Sequence, residues 1–260
     1  MFDYFDSLAH PTLDGKWTSG RKGISFAEYE QLLIEKTHVI GSVVCGLPGV
    51  GSYSAEPFFK ACKRLSSTKP IVPVAPIEST ADIAQQVSNL IDIGFKGFKL
   101  HSRLLNVEYD SHLLDELFSV ATHRGLPVFL CTFCYSKGSI QTTTDLYKLI
   151  VHALKANPKI QLVLVHGGVH DLMLYYELAR QAENVFLDLS YTLLKYHTVY
   201  SNQFKFLFSQ FDRKLLIGSD SPEYTNDELE VELTRLFDGI TTEKVENICS
   251  GNILRLLQPI

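Results

Sequence analysis

Eight short apolar runs recur along the chain, separated by longer stretches in which apolar residues return every three or four positions. The runs cover residues 2–8, 40–47, 71–76, 95–100, 127–133, 160–165, 185–189 and 214–218. They are rich in β-branched and aromatic residues, and most are hydrophobic almost throughout instead of alternating with polar positions. That is the pattern of parallel strands covered on both faces. Among the intervening segments, residues 26–35, 81–93, 111–124, 144–156 and 227–237 read as amphipathic helices. Thr80 and Asp82 offer N-cap chemistry, and Gly94 is placed to stop the helix that precedes the fourth strand. Repeated strand-then-helix units require right-handed crossovers and a parallel sheet, and eight of them close a barrel. The pattern predicts an α/β protein, an eight-stranded parallel (β/α)8 TIM barrel forming one domain over residues 1–260, with a doubly wound open sheet as the alternative.

Composition narrows the class of partner. With 45% hydrophobic and 20% charged residues the chain can bury a sizeable core. A net charge of −5, with no concentrated Lys/Arg run, gives no footprint for nucleic acid. The first six residues carry acids where a secretory signal has a basic start, and no run of about 18 apolar residues is present to span a bilayer. Five dispersed cysteines, at 45, 62, 131, 134 and 249, suit a reducing compartment. The expectation is a cytoplasmic protein with a small-molecule substrate and no nucleic-acid or membrane partner, with a two-fold homodimer as the default assembly. Cys131 and Cys134 form a lone CxxC, for which core packing is the plainer reading and a zinc or redox pair the sharper one.

In a β/α barrel the site is built at the carboxyl ends of the strands. Strand one ends at His10, strand four at His101, strand five at Cys131, strand six at His166 and strand eight at Asp220. Residues two apart share a strand face, so Leu8 points with His10, Gly97 and Lys99 with His101, and Gly218 with Asp220. Each residue has a plain structural reading. A lone histidine usually hydrogen-bonds backbone, Cys131 suits a small buried hydrophobe, and Asp220 before Ser221-Pro222-Glu223 suits a helix start. Their convergence on one mouth favours a functional site.

The segments Asp6-Ser7-Leu8-Ala9-His10, Gly94 to His101, Leu126 to Cys131, Val163-Leu164-Val165-His166-Gly167, Asn184 to Ser190, Ile217-Gly218-Ser219-Asp220-Ser221-Pro222 and Gly251 to Leu257 fall in order along the chain. Together they resemble the landmarks of the amidohydrolase superfamily of TIM-barrel hydrolases and decarboxylases. The resemblance implies a divalent metal held by a first-strand His-x-His pair, histidines on strands five and six, and an eighth-strand Asp. Here His10, His166 and Asp220 match that pattern, Leu8 stands where the other first-strand histidine would be, and Cys131 replaces the fifth-strand histidine. Two chemistries follow from the resemblance. With metal, His10, Cys131 and Asp220 offer an imidazole, a thiolate and a carboxylate, which suit one zinc ion better than magnesium or calcium. His166 or Asp220 would then move the proton, and Lys99 stands where some members carry a carbamylated bridging lysine. Without metal, Asp220 serves as general base, and Lys99, His101 and Arg103 bind the substrate and its developing oxyanion, with His10 beside them. The leading expectation is a hydrolase of a small amide, lactone or cyclic ester. A decarboxylase or other lyase on the same scaffold and a metal-free, non-catalytic binding barrel are the alternatives. Gly46-Leu47-Pro48-Gly49-Val50-Gly51 lacks phosphate-loop spacing and reads as a loop at the site, and His170 as an ordinary loop residue.

Overall fold

A computed structural model describes residues 2–18, 21–105, 109–133 and 143–258; Cys134, half of the CxxC pair, lies outside them. The eight apolar runs form eight parallel strands: β1 (Tyr4–Ala9), β2 (Val39–Cys45), β3 (Ile71–Pro76), β4 (Phe98–Leu100), β5 (Val128–Cys131), β6 (Leu162–Val165), β7 (Val185–Asp188) and β8 (Leu215–Leu216). They pair in chain order. Backbone hydrogen bonds from Ser7 N to Ile217 O (2.9 Å), Asp220 N to Leu8 O (3.0 Å) and His10 N to Ser221 O (2.8 Å) join the last strand to the first. An open doubly wound sheet has no such return, so the chain is a TIM barrel. Among the described residues no helix is long and apolar enough to cross a membrane.

Strand parity sorts the core into two layers. Phe98, Leu100, Val128, Leu130, Leu162 and Leu164 face outward and pack with the surrounding helices. Phe5, Leu8, Val43, Val74, Phe129 and Val163 form a second cluster inside the barrel, and Ile253 and Leu256 pack into it from the C-terminal segment. A register shift between Asp6 and Ala9 puts Phe5 and Leu8 in this same inner cluster. Leu8 therefore contributes an apolar floor to the barrel where a second first-strand histidine would bring a ligand.

The helices form where local chemistry satisfies their ends. Phe26–Glu35 and Asn226–Leu236 each begin with a reciprocal capping box, Ser25 with Glu28 and Thr225 with Glu228. Ser111–Arg124 is capped by the Asp110 carboxylate and stopped by left-handed Gly125. Gly94, at φ 118°, ends Ile83–Ile93 as the sequence predicts. Asp82 occupies the N-cap position of that helix, but its side chain makes no capping bond. Gln86 instead reaches back to the Ser79 and Ala81 carbonyls and accepts from the Glu78 and Ser79 amides, organising the loop from inside the helix. Asp220 is not a helix cap either, because the helix that follows starts at Asn226 under Thr225.

Candidate active site

The carboxyl ends of the strands surround a cavity of about 190 Å³. Its floor and walls carry His10, Lys99, His101, Arg103, His166 and Asp220. Strand parity explains much of this set: Phe98 and Leu100 face outward, so Gly97, Lys99 and His101 face inward, and Lys99 is only 1% exposed. Cys131 is buried and does not line the cavity; its thiol lies against His101 and His166 in the wall behind it.

His10 is oriented by the backbone. Its Nδ1 lies 2.7 Å from the Cys45 carbonyl oxygen, an acceptor only, so Nδ1 carries a proton and donates it. Burial, helped by the Lys99 charge, pushes the His10 pKa down and keeps the ring neutral, leaving the Nε2 lone pair facing the cavity. The Lys99 Nζ stands 3.4 Å from that nitrogen, and Asp220 Oδ1 also stands 3.4 Å from it. His166 is fixed in the same manner: its Nδ1 donates to the Ser190 carbonyl at 3.0 Å, its backbone N to Asp188 at 3.3 Å, and its carbonyl accepts from Thr192 Oγ1 at 2.6 Å. Asp188 also accepts from Ser7 Oγ at 2.6 Å, which ties the ends of β7 and β1 together.

His166 and Asp220 both have left-handed backbones, at φ 68° and 54°. Such a conformation costs a non-glycine residue about 1–3 kcal/mol and persists where the surroundings hold it. For Asp220 the holding contact is its N–H to the Leu8 carbonyl across the barrel seam. Tyr191 shares the positive φ, at 63°, and the side chains of all three line the cavity.

The electrostatics divide the site. Burial alone would raise the Asp220 carboxyl, but the charge of His166, the His10 contact and the Lys99 ammonium outweigh it and hold it down at about 2. Burial opposes the charged form of His166, and Asp220 and Cys131 reverse that, so its pKa moves up. Burial would likewise raise the Cys131 thiol, yet its interactions with His101 and then His166 pull it well below the ordinary thiol value. Cys45 goes the other way, pushed up to about 12 by burial. Burial pushes His101 down, against the opposing pull of Cys131. Its Nδ1 and the Nε of Arg103 are buried without a hydrogen-bond partner among the described residues.

Several lining residues come from loops. Trp17 sits beside His10 at a ring separation of 5.8 Å and donates through Nε1 to Glu223 at 2.6 Å; Arg21 binds the same Glu223 oxygen at 2.7 Å. Tyr191 packs edge-on against His166, and Arg103 lies over the Phe133 ring with its guanidinium carbon 4.3 Å from the ring centre. Strand-end reasoning does not reach Trp17, Tyr191 or Glu223, because nothing in the strand pattern places them, whereas Phe133 closes the fifth apolar run two residues after Cys131. Asp188 lies within a landmark segment, and its period-two relation to Ser190 was the available signal. His170 is held by Tyr196 on the outside, at 3.5 Å from its hydroxyl.

The metal implied by the resemblance can be set against these donors. Zinc ligands about 2.0–2.1 Å from the ion in a tetrahedral array stand about 3.3 Å apart. His10 Nε2 and Asp220 Oδ1, at 3.4 Å, have that spacing. A third donor does not join them. Cys131 is engaged by His101 and His166, an ammonium stands at His10 Nε2, and among the described residues no group of three or more His, Cys, Asp or Glu side chains is disposed to hold an ion. So arranged, the residues do not fit a zinc centre on His10, Cys131 and Asp220.

Comparison with solved structures places the fold among known barrels. An uncharacterised TIM-barrel protein of Bordetella bronchiseptica superimposes with a TM-score of 0.72 at 20% identity, over 88% of this chain and 80% of that one. A probable 2-pyrone-4,6-dicarboxylic acid hydrolase of Acinetobacter baumannii, with citric acid bound, gives 0.64 at 14% identity over 98% and 99% of the two chains. A β-aspartyl dipeptidase of Fervidobacterium islandicum, in complex with a β-Asp-Leu dipeptide, gives 0.67 at 14% identity over 98% and 74%. None of the curated proteins compared matches the chain by sequence. The amidohydrolase family model matches residues 59–258, most of the barrel from the helix after β2 through the C-terminal segment, and the chain therefore belongs to the amidohydrolase family.

Proposed function

We propose that the protein is a hydrolase of a small carbonyl compound, a lactone, cyclic ester or amide, with Asp220 as general base. The observation that carries this reading is one cavity lined both by the ionised Asp220 carboxylate and by Lys99, His101 and Arg103, with Lys99 Nζ and Asp220 Oδ1 each 3.4 Å from His10 Nε2. A cationic wall beside an ionised carboxylate suits an oxygen-rich substrate whose carbonyl gathers negative charge as water adds. A carbonyl oxygen directed at Lys99 would set its carbon near Asp220, since both groups stand 3.4 Å from His10 Nε2.

The chemistry then balances within the site. Asp220 accepts a proton as the water oxygen bonds to the carbonyl carbon, and the electron pair displaced onto the carbonyl oxygen is held by the cationic wall. When the carbonyl re-forms, the bond to the leaving oxygen or nitrogen breaks, and the proton on Asp220 passes to that atom. When protonated, a form Asp220 and Cys131 favour, His166 beside Asp220 keeps the carboxylate ionised between turnovers. That charge also makes Asp220 a weak base in the free protein. Proton transfer therefore proceeds together with bond formation, as the oxyanion gathers charge near Lys99.

The test is a panel of lactones, esters and amides assayed with the unmodified protein and with Asp220→Asn. Loss of a general base lowers kcat by about 10²–10⁴-fold, while the melting temperature should stay within a few degrees because the substitution keeps the shape. Retained turnover in the variant removes Asp220 from the chemistry. An unmodified protein inert across all three classes favours a binding barrel without turnover.

A further inference from the structure

We infer that the Lys99 ammonium stands in the place a metal ion would take in this barrel: it is the electrophile that holds the carbonyl oxygen, and its presence is why His10 and Asp220 do not bind zinc. The catalytic half of this inference rests on the hydrolase reading above; the metal half does not.

Four observations converge on Lys99. It projects from the middle of β4 to the barrel axis, with the flanking Phe98 and Leu100 turned outward. Its Nζ lies 3.4 Å from His10 Nε2, the one imidazole nitrogen of His10 that the Cys45 carbonyl leaves free to accept. Asp220 Oδ1 lies at the same distance from that nitrogen, at the spacing of two ligands on one small ion. His10 and Asp220 are thus set as a half-site for a cation, and the cation beside it is covalently attached to β4, a strand that adjoins neither β1 nor β8. Finally, Lys99 is felt by groups on several strands: its positive charge favours the ionised Asp220 and opposes protonation of His10, His101 and His166.

The physical consequence is mutual exclusion. An ammonium has no lone pair, so it cannot ligate, and a divalent ion bound to His10 Nε2 about 2.1 Å away would meet a like charge at near-contact distance. A lysine also supplies only one unit of charge, but in a buried site it is worth more than in water and needs no reorganisation as the oxyanion forms. Leu8 fits the same scheme, since an apolar floor below His10 withdraws the ligand that would let an ion compete.

The experiment has two independent readouts. Zinc uptake is measured by equilibrium dialysis and elemental analysis on metal-stripped protein, using the wild type, His10→Ala and Lys99→Glu. The wild type should take up no zinc that His10→Ala removes. Lys99→Glu exchanges the cation for a carboxylate beside Asp220, and should gain about one equivalent that is lost again when combined with His10→Ala. Separately, Lys99→Met, which keeps the length and removes the charge, should lower kcat by about 10²–10³-fold with a much smaller change in KM, the signature of a group acting on the transition state. Stoichiometric wild-type zinc that depends on His10, a folded Lys99→Glu without zinc, or a folded Lys99→Met with wild-type kcat would each overturn the inference. Should Lys99→Glu fail to fold, the wild-type titration and Lys99→Met still decide. If no substrate is turned over at all, the hydrolase reading and the catalytic half fall together, and the zinc measurements still decide whether lysine holds the metal's place.

Discussion

Asp6 should make the protein less stable as pH rises from about 4 towards neutrality, and Asp6→Asn should abolish that dependence. The carboxylate is fully buried where β1 meets β8. Its Oδ1 accepts from Ser219 N at 2.9 Å and Leu8 N at 3.2 Å, and its Oδ2 from Ser219 Oγ at 2.7 Å and Asn226 Nδ2 at 3.3 Å. Burial outweighs these four bonds and pushes the carboxyl up to about 6 from an ordinary 3.8. The folded state thus binds the proton more tightly than the unfolded chain. The stability this contributes is whole below pH about 4 and is lost as pH rises through about 6. A shift of about two units corresponds to about 3 kcal/mol at about 1.4 kcal/mol per unit. Urea unfolding of wild type and Asp6→Asn across pH 4 to 8 gives the difference curve directly. Asp188, also raised by burial, is present in both proteins and cancels. The wild-type advantage over the variant should shrink by roughly 3 kcal/mol across that range. A difference that stays constant, or grows with pH, would show that the hydrogen bonds win over burial and that Asp6 is a strong acid in the fold.

Two further expectations concern the seam and the wall. A Cβ at Gly218 would fall 2.8 Å from both Leu8 N and Ser7 Oγ and 3.0 Å from Asp6 Oδ1, so Gly218→Ala must push β8 off β1. Destabilisation of about 1–3 kcal/mol is expected from such overpacking, read from the urea midpoint, and an unchanged midpoint would mean the seam yields freely. Cys131, lowered by His101 and His166, should contribute a thiolate absorbance at neutral pH that Cys131→Ser removes. The same substitution at Cys45, which burial raises to about 12, should remove none. Equal spectra for Cys131→Ser and the wild type would place the shared proton on sulfur.

How much of this was legible in the sequence follows from what each feature depends on. The strands were legible because parallel strands buried on both faces are written as continuous apolar runs, and parity then placed Lys99 and His101 on one face. Strand ends were less so: residues 95–97 extend the apolar run ahead of β4, but the strand begins at Phe98, because Phe95 turns out of the sheet to pack against Phe58 and Phe59 after left-handed Gly94. Likewise Lys214 opens the eighth run in the sequence yet belongs to the turn before β8, where its ammonium caps the Ala179 and Ala182 carbonyls.

The site divides along the same line. Which groups reach the mouth is a property of single strands, so His10, Lys99, His101, His166 and Asp220 could be named one at a time. Which of them meet is a property of distances across the closed barrel, and there the sequence was silent. The resemblance implies Cys131 as a ligand beside His10 and Asp220; the fold instead gives it to His101 and His166 and sets Lys99 at His10. The seam network of Asp6, Ser7, Ser219 and Asp188 was hidden for the same reason. Its members are ordinary polar residues within apolar runs, and they become a network only when β8 returns to β1. That return also holds Asp220 in its left-handed turn through the Leu8 carbonyl, so the closure that completes the fold is the step that aims the proposed base. A change at the seam such as Gly218→Ala should therefore lower turnover by more than its cost in stability explains.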